Sequence, residues 1–273
     1  MGIWLGPRGG AGLEESDFTY SGTYLFKTEG RRWELALLSG NAASLVFSRN
    51  PGRVDIFAVG GGQSGQYYSG EESQDAYSGP SHGGNGGNGG ECVSLRGVRL
   101  AANTNYAVTI GASNQSTTLA GGTLNLVAAT AGGSSGGAGG VVYWDTTKND
   151  ASAGTDGVFA YGDQTDTMLF TETEFPGHLF GPGGGGAGSM LLVNRYGSVD
   201  TSANAIGGES NGPTHQYGNG GSYGSHDGGP GYPNHGQGGG GPYYYRVTTG
   251  GGRNAYGNPG VGGSGIILIR GAL

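Results

Sequence analysis

The stretch between residues 181 and 265 decides the fold, and within it stand Gly181-Pro182-Gly183-Gly184-Gly185-Gly186, Gly238-Gly239-Gly240-Gly241 and Gly250-Gly251-Gly252. It holds 30 of the 66 glycines, and a tract so rich in glycine is usually a flexible linker or disordered. Here, however, tyrosines stand between the glycines, charged residues are few, and residues 266–269 form an apolar strand pattern. We therefore expect an ordered glycine scaffold with aromatic loops, with disorder as the alternative.

A second glycine run, residues 82–90, has a period of three residues. Asn85 and Asn88 carry side chains, whereas the two residues between them are glycines. In an extended helix with three residues per turn, both asparagines lie on one edge and leave two bare edges. Bare edges let neighbouring backbones approach closely and form lateral hydrogen bonds, which offset the large entropy that glycine loses on folding. Residues 136–140 show the same pattern of paired glycines. The lack of a persistent Gly-X-Y frame with proline excludes collagen.

The composition limits the classes of function. The chain has 273 residues, enough for one or two domains, and its hydrophobic share of 34% is too low for a large conventional core. The formal charge is −7 and the few basic residues are scattered, so no nucleic-acid partner is expected. The single cysteine, Cys92, excludes an internal disulfide. No apolar run or leader pattern indicates membrane insertion or a cleavable signal, so if the protein works outside a cell, release by lysis as part of an assembled particle would fit.

Strand patterns and glycine runs alternate along the chain. Residues 1–16 form an N-terminal arm that is a candidate attachment segment, or a frayed terminus. Residues 17–59 are low in glycine and predict four or five antiparallel strands in one small sheet. Residues 60–273 form a glycine-rich region with interleaved β-strands and aromatic loops. We therefore predict a mainly β fold, an antiparallel β framework with inserted glycine-rich excursions and little or no α-helix, in which residues 54–59 and 266–269 share one framework.

No catalytic constellation is recognisable, so we expect neither an enzyme nor a cofactor. No Gly-x-Ser-x-Gly elbow joins a strand to a helix, and the acidic residues are too dispersed to assign a carboxylate pair. Two metal sites are weaker alternatives to ordinary solvated loop residues, so no metal is predicted. One would use imidazoles, from His215, His226 and His235. The other would use oxygen ligands, from Asn149, Asp150, Asp156, Asp163 and Asp166.

The tyrosines of the long glycine tract are the most informative functional feature. Tyrosine offers a large contact area at low rotamer cost, and its mixture with Gly, Ser, Asn and His is typical of recognition surfaces. About half of the tyrosines are expected to pack against the glycine layer and half to make contacts. We predict a receptor-binding set on one distal surface, opposite the N-terminal arm and stiffened by prolines. Its members are Tyr217, Tyr223, His226, Asp227, Tyr232, His235, Tyr243, Tyr244 and Tyr245.

The order of motifs resembles that of glycine-rich tail proteins of bacteriophages and prophages, among them short tail-fibre and tail-tip adhesins. The resemblance covers about residues 17–273 and rests on residues 53–62, 106–112, 181–186 and 263–270. It implies that the glycine runs form stacked polyglycine-II helices and that the loops between them bind a host surface receptor. The sequence departs from the family where Ser113-Asn114-Gln115 stands in place of further glycine, so we expect the scaffold to be shorter there.

The leading hypothesis is a non-enzymatic structural or receptor-binding tail protein that attaches a phage particle to its host. Its partners would be a host surface glycan or protein and, through the N-terminal arm, other tail proteins, and the chain is a candidate homo-oligomer. It would be located in the virion tail, and outside the cell after host lysis. The alternatives are a glycine-rich ice-binding protein and a glycan depolymerase. An ice-binding protein would require flat faces of small residues, whereas these loops carry tyrosine and histidine.

Overall fold

The computed structural model describes residues 12–67, 81–130, 135–138, 141–142, 150–152, 169–171, 173–175, 180–187, 189–192, 207–208, 218–222, 226–247 and 254–271. Within these ranges β-strands are the main regular structure, and no helix exceeds the 3₁₀ turn Glu15–Asp17. The prediction of a mainly β fold with little or no α-helix is confirmed. No helix of the described residues is long and apolar enough to cross a membrane.

Ten strands form two five-stranded antiparallel sheets. The first sheet has the order β1 (Phe18–Tyr20), β4 (Ala43–Phe47), β8 (Asn105–Thr109), β9 (Thr117–Gly121) and β10 (Leu124–Ala128). The second sheet has the order β2 (Tyr24–Glu29), β3 (Arg32–Leu37), β16 (Ile266–Gly271), β5 (Arg53–Val59) and β7 (Cys92–Arg99). Strands β5 and β16 pair directly, from Val59 with Ile266 to Val54 with Gly271, so the prediction that these two segments share one framework is confirmed.

The two sheets face each other across one hydrophobic core. Alternate residues of β4 and β8 are buried, as expected for strands with one face toward a partner sheet. The fully buried core includes Leu37, Leu45, Phe47, Ile56, Val108, Leu119 and Ile267. The prediction that residues 17–59 make one small sheet is wrong: β1 and β4 belong to the first sheet, and β2, β3 and β5 belong to the second. The physical reason is that an apolar strand face needs a second layer to cover it.

A second cluster covers the opposite face of the second sheet. Phe170, Phe175 and Phe180 pack there against Phe57 and Ile266. The Phe57 and Phe180 rings meet edge to face at 5.3 Å between centroids. The second sheet is therefore buried on both faces, which explains why β5 reads as a nearly continuous apolar run and not as an alternating one.

Glycine runs continue from the ends of β5, β7 and β16, and there the backbone period changes from two residues to three. Along residues 60–66, backbone N–H groups donate to the neighbouring run that precedes β7. These bonds join Gly60 to Glu91, Gln63 to Asn88 and Gln66 to Asn85, at 3.0, 2.8 and 2.8 Å. Two further bonds point to the run that precedes β16, from Gly62 to Gly263 and from Gly65 to Gly260, at 2.9 and 2.8 Å. Strand neighbours therefore remain neighbours after the strands have ended.

We call the hydrogen-bonded glycine segments the glycine array. They are residues 60–66, 84–90, 135–138, 181–187, 207–208, 218–221, 226–231, 236–243 and 257–263. Residues 236–243 form the central run, which exchanges backbone hydrogen bonds with six of the others. Those six are residues 60–66, 84–90, 181–187, 218–221, 226–231 and 257–263. The backbone polar groups of this tract are thus satisfied laterally, outside any helix or sheet.

Glycine is required in the array because the runs lie too close together for a side chain. A Cβ atom at Gly239 would overlap the carbonyl oxygen of Gly260, and one at Gly240 would overlap that of Asn219. At Gly236, where the central run begins, φ is +63° and a Cβ atom would meet the carbonyl of Gly60. The dense glycine of the tract therefore follows from backbone packing.

Short strands lie at the end of the array that is remote from the two large sheets. One four-stranded sheet has the order β12 (Asp150–Ser152), β13 (Ser189–Leu192), β14 (Tyr244–Val247) and β15 (Asn254–Tyr256). A two-stranded sheet pairs β6 (Ser81–His82) with β11 (Val141–Val142), and it contacts β13. Because β14 directly follows the central run and β13 follows residues 181–187, these strands mark the distal end of the array. The proximal end is the one that joins β5, β7 and β16.

Candidate functional site

Of the predicted receptor-binding set, His226, Asp227 and Tyr243 lie at the distal end of the array. His226 and Tyr243 stack there, with ring centroids 5.3 Å apart and an interplanar angle of 10°. The backbone N–H of Tyr243 also donates to the carbonyl of His226 at 2.8 Å. Tyr243 is fully buried, whereas His226 is partly exposed. The pair therefore presents an imidazole to solvent above a tyrosine that acts as its support.

Asp227 is exposed beside this stack and holds the neighbouring run in place. Its Oδ1 atom accepts hydrogen bonds from the backbone N–H and from the Nδ2 group of Asn258, at 2.6 and 3.2 Å. The N–H of Gly228 donates to the carbonyl of Asn258 at 2.8 Å. A carboxylate and an amide thus lie together at the surface, and both are groups that hydrogen-bond to hydroxyl-rich ligands.

Tyr232 and His235 lie at the proximal end, which corrects the prediction of one distal surface. His235 has only 1% of its surface exposed, stacks on Phe180 at 5.2 Å and meets the ring edge of Tyr232 at 4.7 Å. Its Nδ1 atom lies 2.9 Å from the carbonyl of Pro233, an acceptor that places the imidazole proton on Nδ1. Seven residues, 236–242, lie between His235 and Tyr243, so the two side chains lie at opposite ends of the central run.

The burial of His235 and Tyr243 corrects the expectation that their side chains line a contact surface. Both face the interior of the protein, one among the phenylalanines of the second cluster and one under His226. Their physical role is packing at the two ends of the central run. Tyr217 and Tyr223 lie outside the described residues. Tyr244 and Tyr245 lie on β14, where the structure describes the backbone.

The arrangement separates two of the three histidines that a metal site would need. His226 lies at the distal end of the array and His235 at the proximal end, whereas His215 is outside the described ranges. Among the residues that the structure does describe, no three His, Cys, Asp or Glu side chains come together as a metal site. Cys92 is half-buried and packs against the second cluster, with its Sγ atom 3.6 Å from the carbonyl oxygen of Phe180.

A groove at the side of the array is lined by amide side chains, of which the sequence pattern indicated only one pair, Asn85 and Asn88. This groove of about 250 Å³ lies where residues 60–66, 84–90 and 135–138 meet. Four amide side chains line it, and the period of three that places Asn85 and Asn88 on one edge also applies to Gln63 and Gln66. The signal for the second pair was present in the sequence, but only the pairing of the two runs makes the two edges adjacent.

Gly12 lies at the end of the two large sheets that is remote from the glycine array. Gly12, the first described residue, lies against the backbone of Arg31 in the β2–β3 turn, and its carbonyl accepts a 2.5 Å bond from Arg49. That turn lies at the end of β3 remote from Leu37, which pairs with Ile267 at the array side. Gly12 therefore lies on the side of the two large sheets away from the array, whereas His226 and Asp227 lie at the distal end; the predicted opposition between the arm and a receptor surface stays a prediction.

Comparison of the chain with protein-family models, with curated proteins and with solved structures finds no match to any of them.

Proposed function

We propose that this chain is a non-enzymatic tail protein of a bacteriophage-like particle, an adhesin that contacts a host surface glycan or protein. Its glycine runs would be polyglycine-II helices, and its distal end would meet the receptor. The N-terminal arm, residues 1–16, would attach to other tail proteins in the virion. The protein would need no cofactor or metal.

The observation that carries this proposal is the construction of the glycine array. Its hydrogen bonds repeat every three residues along residues 60–66, and the central run bonds to six neighbours, as expected for close-packed three-fold helices. Seven residues at about 3.1 Å each give a spacer of about 22 Å. Its close-packed, laterally bonded backbones make it suited to hold its two ends apart at a fixed distance.

A rigid support favours recognition at the distal end. Side chains that are already placed lose less entropy on binding, which raises affinity without additional contacts. His226 is held by its stack on Tyr243, and Asp227 is held by Asn258. Tyr67, which follows residues 60–66 of the array, is 48% exposed. An imidazole, a carboxylate and a phenol ring at the same end of the array suit a ligand that has both hydroxyls and apolar faces, such as a glycan.

The test is attachment of fluorescently labelled protein to a panel of bacterial strains, read by flow cytometry. We expect at least one strain to bind the wild type, and we expect Tyr67→Ala and Asp227→Asn to reduce that binding several-fold. Tyr232→Ala is the matched control because it removes a tyrosine at the proximal end. Binding that falls only in the control, or equally in all three variants while each remains folded, would contradict a distal receptor site.

Two assays separate this proposal from its alternatives. An ice-binding protein would produce a freezing hysteresis in nanolitre osmometry, and a depolymerase would release new reducing ends from the surface polysaccharide of the strain that binds. We expect neither signal from the purified chain. Either signal would replace the adhesin proposal by the corresponding function.

A further inference from the structure

The groove at the side of the array has an ordered chemical lining. Backbone bonds pair Gln63 with Asn88 and Gln66 with Asn85, so the four amides stand opposite one another as two successive rungs. A rise of about 3.1 Å per residue puts about 9 Å between the rungs. Gln66 and Asn85 are exposed, and Gln63 and Asn88 are half-buried. The remaining lining residues are Gly136, Gly137, Gly86 and Ala138.

The polarity of the groove comes from its side chains, because its backbone groups are used inside the array. The N–H of Gly86 donates to Gly137 at 2.9 Å, and the N–H of Gly137 donates to the carbonyl of Gly184 at 2.7 Å. The Oδ1 atom of Asn88 accepts the N–H of Gly136 at 3.0 Å, which fixes the plane of that amide. The floor of the groove is thus rigid, and amide groups rise from it at regular intervals.

This lining selects a chemical class of ligand. Amides both donate and accept hydrogen bonds, so they match hydroxyl groups, which do the same. Among the described residues that line it there is no lysine, arginine, aspartate or glutamate, whereas a phosphate or carboxylate ligand would require a cation. The volume of about 250 Å³ lies just below the range of sites for drug-sized ligands, about 300–1,000 Å³, and suits a short segment of a larger polar molecule.

We propose that this amide groove is a binding site for a neutral saccharide, with Gln63, Gln66, Asn85 and Asn88 as its ligand-contacting residues. The site is separate from the distal end around His226 and Asp227, and it does not depend on the adhesin proposal. The competing occupant is a glycine-rich segment of a second copy of this chain, which would use the same amides to extend the array sideways.

The experiment uses the full chain at neutral pH with a panel of free sugars. The neutral probes are glucose, galactose, mannose, N-acetylglucosamine and their disaccharides, and the charged probes are glucuronic acid and sialic acid. Binding is detected by saturation-transfer NMR and measured by calorimetry. We expect a neutral sugar to bind at millimolar concentration, and we expect Gln66→Ala and Asn85→Ala each to weaken it about three- to tenfold, the effect of losing one or two net hydrogen bonds.

The control variant is Asn125→Ala, which removes an exposed amide on β10, outside the groove. It should leave the affinity unchanged, and the melting temperatures of all variants establish that they fold. The proposal is overturned if no neutral sugar binds, if charged sugars bind as well as neutral ones, or if the groove variants bind like the control. Self-association that disappears in Gln66→Ala, measured by sedimentation, would assign the groove to a second copy and would equally overturn it. Failure of strain attachment leaves this result unaffected, because the sugar assay needs no host cell.

Discussion

Substituting Gly87 by alanine tests whether the glycine array is a close-packed structure. The added methyl group would overlap the carbonyl of Gln63 and approach that of Ser64, so one of the two runs must move. Three backbone bonds beside Gly87 join these two runs and are lost if they separate: from Gln63 to Asn88 at 2.8 Å, from Gln66 to Asn85 at 2.8 Å, and from Asn85 to Gln66 at 2.9 Å. At about 1 kcal/mol of net stabilisation per bond, the loss is about 3 kcal/mol.

Part of that loss is offset because alanine has a less flexible unfolded state than glycine, an effect of about 0.4–1 kcal/mol. The expected net destabilisation by Gly87→Ala is therefore about 2 kcal/mol. In a domain of this size it corresponds to a decrease in melting temperature of about 4–8 °C. Gly87→Val should decrease it further, because a larger side chain must be accommodated.

The assay is differential scanning calorimetry of the purified variants, with Asn85→Ala as the matched control. Asn85 lies two residues away in the same run, but its side chain is on the exposed edge. Its removal should change stability by no more than about 0.5 kcal/mol. Equal melting temperatures for Gly87→Ala and Asn85→Ala would refute the reasoning and would make residues 82–90 an ordinary loop.

Three further predictions concern the β framework. Burial raises the pKa of Glu34, so the stability that its protonated form contributes is complete at acid pH and is lost as the pH rises through the raised pKa. The variant Glu34→Gln can still accept the 2.7 Å bond from the Leu169 N–H. In thermal scans it should melt at a higher temperature than the wild type at pH 7 and should lose that advantage near pH 4. Burial also raises the pKa of Tyr20 to about 12, and its hydroxyl donates to the carbonyl of Ser39 at 2.7 Å. In urea titrations Tyr20→Phe should lower the free energy of unfolding by about 1 kcal/mol at pH 7, and this difference should shrink between pH 10 and 12. A difference that stays constant with pH would contradict the raised pKa of Tyr20. Phe180→Ala should destabilise the chain by about 3–5 kcal/mol in chemical denaturation because the ring is fully buried, and a loss below 1 kcal/mol would show that the second cluster is not a core.

The parts of the fold that the sequence predicts are those with a local pattern. The apolar runs at residues 54–59 and 266–269 stand next to glycine, and the structure pairs them in one sheet. The positions of Asn85 and Asn88 indicate a three-residue period, and the backbone bonds of this run repeat at that interval. In both cases side chains carry the information along a few consecutive residues.

The parts that the sequence does not predict depend on long-range packing. His235 and Tyr243 have the same glycine-rich surroundings as Asp227, yet only the aspartate is exposed, because the partners that bury the other two come from distant segments. The sequence also does not predict which segments lie beside the central run, since glycine has no side chain with which to specify a partner. Composition therefore predicts that such a layer exists, but not which of its aromatic residues face solvent.

The change of period at the end of β5 limits how such a protein can vary in length. Val59 pairs with Cys92 in the sheet, and one residue later the bond between Gly60 and Glu91 continues the same alignment in the array. The sheet thus sets the alignment of backbones that have no side chains to set it themselves. Beyond this point, a run can gain residues only in threes if the same edges are to face the same neighbours. The distance between the two ends of the protein can therefore grow only in steps of about 9 Å, with all the runs lengthened together.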